Sequence, residues 1–61
     1  MAVSFKFNCI DEPGDFLEVE EASGEIVITG IFQEKGVDFV FDKSTAIKFA
    51  KTLRTEINKI Q

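Results

Sequence analysis

Histidine is absent from this 61-residue chain, and cysteine occurs once, as Cys9. Each shortage closes a class of function. Without histidine the commonest general base is missing. A lone thiol completes neither a zinc site nor an internal disulfide. There is no glycine-rich phosphate loop and no nucleophile elbow. No apolar run approaches the ~20 residues of a membrane span. The opening Met-Ala-Val-Ser-Phe-Lys lacks the basic-then-apolar order of a secretory signal. An unpaired thiol suits a reducing compartment. The expectation is a cytoplasmic protein, of a cell or, if viral, of its host cell. It is expected to have no enzymatic activity, no cofactor, no membrane partner and no small-molecule substrate.

A chain this short buries a smaller share of its surface than a large one, so its own stability is expected to be marginal. The usual remedies are disulfides, a metal or association. Composition leaves association, or an unusually good core to which seven phenylalanines contribute.

Charge is unevenly placed. Residues 1–41 hold nine acids against Lys6 and Lys35, which is −7; residues 42–61 hold five bases against Asp42 and Glu56, which is +3. One reading is solubility, with bases placed toward a helix C-terminus. The other is a dipolar surface that selects partners.

Three glycine-containing turn signals, "DEPGD", "ASGE" and "QEKG", separate four runs rich in Val, Ile and Phe: "VSFKFNCI", "FLEVE", "EIVITGIF" and "VDFVF". Their period of two predicts strands, and the short loops predict antiparallel neighbours. From Asp42 the period changes. Ala46, Ala50, Leu53, Ile57 and Ile60 follow at steps of 4, 3, 4 and 3, one helical stripe with Asp42 as its N-cap. The predicted fold is a single two-layer α+β domain over 1–61. It is a four-stranded antiparallel β-meander with one C-terminal α-helix packed on one face (β1-β2-β3-β4-α).

Taking the turn signals as loops assigns the faces. Val3, Phe5, Phe7, Cys9, Leu17, Val19, Ile26, Ile28, Phe32, Val37, Phe39 and Phe41 share one side, with Gly30 among them. This side is expected to lie under the helix, with Cys9 buried and inert there. The other side carries Ile10, Phe16 and Ile31 in one row, with Val27 and Val40 further along and Lys6, Glu18 and Glu20 toward the rim. Single exposed apolar residues are ordinary on strands, and the 11–15 loop could fold over Phe16. Three adjacent ones point to an association surface. Ile57 and Ile60 are expected near the sheet edge, able to extend that surface or pack on Val3 or Phe5.

The remaining polar clusters carry less. Asp11, Glu12 and Asp15 share a loop, but their spacing fits no calcium loop, and Pro13-Gly14 reads as a turn. Glu18, Glu20, Glu25 and Asp38 accumulate negative charge on the open face, which disfavours nucleic acid there. Lys48, Lys51, Thr55 and Lys59 form a modest outward stripe on the helix without aromatic residues between them.

The functional expectation is a small binding protein, homodimeric through its open sheet face. Its contact residues are Ile10, Phe16, Val27, Ile31, Val40, Glu18, Glu20, Ile57 and Ile60. The first alternative is an acidic viral-type inhibitor that occupies the nucleic-acid site of a host protein. A lower one is a nucleic-acid binder using the basic helix stripe.

Overall fold

The computed structural model describes residues 3–61. Four strands, β1 (Phe5–Asn8), β2 (Phe16–Ala22), β3 (Glu25–Phe32) and β4 (Lys35–Phe41), form one antiparallel sheet in the order β1-β2-β3-β4. Helix α1 (Lys43–Ile57) follows and packs against the sheet. The class is α+β, a meander with one helix.

The β2–β3 hairpin follows from its turn. Ser23 and Gly24 both have positive φ, 54° and 80°, the two-residue geometry whose twist matches that of the flanking strands. Glu21 Oε2 accepts the Gly24 N–H at 2.8 Å. The register pairs Phe16 with Ile31, Leu17 with Gly30 and Val19 with Ile28, as the sequence predicts.

The other two registers differ by two residues from those that "DEPGD" and "QEKG" as whole loops predict, in which Phe7 faces Val19 and Gly30 faces Phe39. Phe7 pairs with Leu17, and Asn8 with Phe16. Ile28 pairs with Phe39, and Gly30 with Val37. The β1–β2 connection is longer than "DEPGD": Cys9 N–H donates to Asp15 O at 2.9 Å, and Asp15 N–H to Glu12 O at 3.0 Å. The β3–β4 turn is shorter than "QEKG". It is made by Gln33 and Glu34 at φ 50° and 65°, while Gly36 lies inside β4 opposite Ile31. A shift of two keeps every paired side chain on its assigned face, because successive strand side chains alternate.

Asp42 caps the helix. Its carboxylate accepts the Thr45 N–H at 2.8 Å and the Ser44 hydroxyl at 3.3 Å, satisfying a donor that the first helical turn leaves free. The helix ends at Ile57, one turn before Ile60. The chain then tightens through bonds from Lys59 N–H to Glu56 O at 3.1 Å and Ile60 N–H to Ile57 O at 3.0 Å.

The helix covers only one end of the apolar face. Its backbone comes close to β3 and β4 but not to β1 or β2. Phe41 and Phe49 meet edge to face, centroids 5.7 Å apart, a favoured aromatic arrangement. Ile26, Phe41 and Ala46 are half-buried around that contact. Ile28, in the next row, is the one buried large apolar side chain among the described residues, at 8% exposure. Beyond it the face is bare.

Candidate interaction surface

Pairing places the apolar side chains in rows across the sheet. Glu21, Ile26 and Phe41 form the row beside the helix. Phe5, Val19, Ile28 and Phe39 form the next, and Phe7, Leu17, Gly30 and Val37 the one after. Phe39 is 55% exposed and Phe7 57%, with Phe5, Leu17, Phe32 and Val37 also exposed. The bare rows form an open concavity of about 540 Å³. Gly30 is its floor. A methyl group there would meet Leu17 Cδ2 at 3.4 Å and Phe32 Cε1 at 3.9 Å, so these two side chains already lean over the glycine.

Cys9 lines this concavity and is exposed, which corrects its expected burial. It precedes the loop instead of pairing inside β1, and no helix reaches it. The reason is the same for the whole set expected to form the core. The side chains share a face as predicted, but the chain's own helix spans too little of it.

The opposite face carries the residues singled out for association. Phe16 and Ile31 are cross-strand neighbours, and both are half-buried. The Lys6 ammonium lies 4.1 Å from the centre of the Phe16 ring, a cation–π contact. Ile31 leans on Gly36, where its Cδ1 would stand 3.1 Å from an added methyl. Ile10 is not in this row. Asn8 takes the place opposite Phe16, and Ile10 stands in the loop at 95% exposure. Val27 is half-buried between Glu20 and Val40, and Val40 is exposed. Glu18 lies between Lys6 and Thr29, and the Thr29 hydroxyl donates to Asp38 Oδ1 at 2.8 Å. The sheet itself thus shields much of the apolar material on this face.

On the helix, Phe49, Leu53 and Ile57 are exposed although they belong to or adjoin its apolar stripe; Leu53 is 50% exposed and Ile57 53%. Ile60 lies beyond the helix and is exposed. Periodicity identifies these residues as apolar-facing but not what they face.

The total surface measures the consequence. The chain exposes 5443 Å², whereas a compact monomer of its 6.8 kDa mass exposes about 4,000 Å². Its radius of gyration is 12.8 Å, against about 10.5 Å for a compact domain of this length. The molecule is flat, 33 × 31 × 18 Å.

Asp42 is held off its ordinary value. Hydrogen bonds from the Thr45 side chain and backbone, then Ser44, keep its carboxyl below the usual aspartate range. This belongs to the helix cap and not to a reactive centre. No protein-family model, curated protein or solved structure matches the chain.

Proposed function

We propose that this protein is a small non-enzymatic interaction module that works by association, with the bare apolar sheet face as its contact surface and a homodimer as its working form. One observation carries the reading: the exposed side chains of Phe7, Leu17, Phe32, Val37 and Phe39 line one apolar concavity over Gly30. Monomeric proteins rarely leave contiguous apolar patches of more than a few hundred Å² in water. The contact face is therefore the one opposite Phe16 and Ile31. Val40 and Ile10 stay peripheral to it.

Two substitutions on the same edge strand separate the faces. Val37 points into the apolar concavity and Val40 to the opposite side, and both are exposed in the single chain. Sedimentation velocity over a concentration series is expected to show a particle heavier than one chain for the wild type and for Val40→Lys. Val37→Lys is expected to sediment as a monomer. Dissociation by Val40→Lys with Val37→Lys unaffected would move the contact to the Phe16 face. A wild type that stays monomeric throughout would remove the homodimer.

The acidic-inhibitor reading draws on a different feature, the placement of Glu18, Glu20 and Asp38 on the Phe16 face. Binding of that kind should weaken steeply with salt, whereas apolar association should not.

A further inference from the structure

The sheet and the helix each leave an apolar surface bare, and the two are matched in size. From Phe49 to Ile57 the helix runs about 13 Å at ~1.5 Å per residue. Four strands at ~4.8 Å spacing are about 14 Å across. Within one chain they do not meet, because the α1 backbone comes close only to β3 and β4. Resting on the association reading above, we infer that the cover of the sheet is α1 of a second copy, exchanged reciprocally. Leu53 and Ile57 of each chain then lie over Leu17, Val37 and Phe39 of the other.

Area selects a second copy. The chain exceeds the surface of a compact monomer by more than about 1,000 Å², since it exposes 5443 Å². A pair that hides this excess on both sides removes more than about 2,000 Å² in total, the range of obligate homodimers. A two-fold contact needs a self-complementary surface, and a bare helix stripe beside a bare concavity is one. Residues 1–41 carry −7 and residues 42–61 carry +3, so a helix laid over the other chain's sheet brings segments of opposite net charge together, while Glu18, Glu20 and Asp38 point away from the contact.

The test is intermolecular relaxation by a spin label. One sample of Cys9→Ser/Lys59→Cys chains is labelled at position 59, and another is unlabelled at that site but carries ¹³C-methyl groups; the two are mixed. Proximity to the label is expected to broaden the Leu17 and Val37 methyl signals, with recovery when the label is reduced. The Val27 and Val40 methyls, on the other face, should change least. Broadening centred on Val27 and Val40, or none in a sample that still sediments as a dimer, overturns the helix exchange and leaves the association reading standing. A monomeric sample overturns both. As a second arm, Leu53→Asp changes a side chain already half in water in the single chain, and should weaken dimerisation by at least ~30-fold, as removal of an interface anchor does. Unchanged dimerisation by this variant also counts against the exchange. Should it fail to fold, the labelling experiment, which leaves Leu53, Ile57, Leu17, Val37 and Phe39 unchanged, decides.

Discussion

Single residues explain where the registers come from. Gln33 and Glu34 form the β3–β4 turn in left-handed conformations, φ 50° and 65°, which cost an L-residue roughly 1–2 kcal/mol each. Gly36, the residue best suited to such a conformation, lies two positions later. It pairs with Ile31 inside the sheet, where a methyl group would stand 3.1 Å from Ile31 Cδ1. That displacement is why "QEKG" misleads: its glycine makes room for a neighbour and does not make the turn. Replacing Gln33-Glu34 by Asn-Gly, the preferred pair for this geometry, should raise stability by about 1 kcal/mol in a denaturant titration. The bond from Gln33 N–H to Asp15 Oδ1, 3.1 Å, uses the backbone and survives the change.

Asp42 makes a second prediction at the same scale. Its carboxyl is held below its ordinary pKa of 3.8 by the Thr45 and Ser44 hydrogen bonds. A group whose pKa is depressed in the folded state contributes stability that is present above the unfolded value and lost as pH falls through the folded one. Helix signal in circular dichroism should therefore decline in part below about pH 3.8 through Asp42. Asp42→Asn retains a capping oxygen and removes that titration. It should leave neutral stability nearly unchanged and flatten the acid limb, while Asp42→Ala should lower stability at neutral pH. Equal acid profiles for the wild type and Asp42→Asn would assign the acid loss to other carboxylates.

Elements show what periodicity can and cannot convey. The alternation in "FLEVE" and "EIVITGIF" assigns faces correctly, and it does so even where the registers slip by two, since an even shift leaves each side chain on its side. The helix start is legible from Asp42 and the switch to steps of 3 and 4. The helix end is less so: Ile60 continues the spacing, but the backbone leaves the helix after Ile57. Cover is what the pattern does not encode. Val19, Ile28 and Phe39 read as core whether the helix above them belongs to the same chain or to another. Only the placement of α1 at the Ile26–Phe41 end reveals that most of the face is bare. Likewise Phe16 and Ile31 read as an exposed pair, because alternation does not show Lys6 lying over the ring or the space that Gly36 opens beneath Ile31.

The whole molecule is a sheet with a long apolar face and a helix that covers one end of it. A domain of this length gains little from its own core, and here Ile28 alone among the large apolar side chains of the described residues is buried. In the proposed dimer, association completes the second layer. Folding and dimerisation are then one equilibrium, and ligation of the folded chain by its own copy raises stability with concentration. The most direct measurement is the thermal unfolding midpoint, followed by circular dichroism across a hundredfold range of protein concentration. The midpoint is predicted to rise steadily with concentration. A midpoint independent of concentration, in a protein that sediments as a single chain throughout, would contradict it.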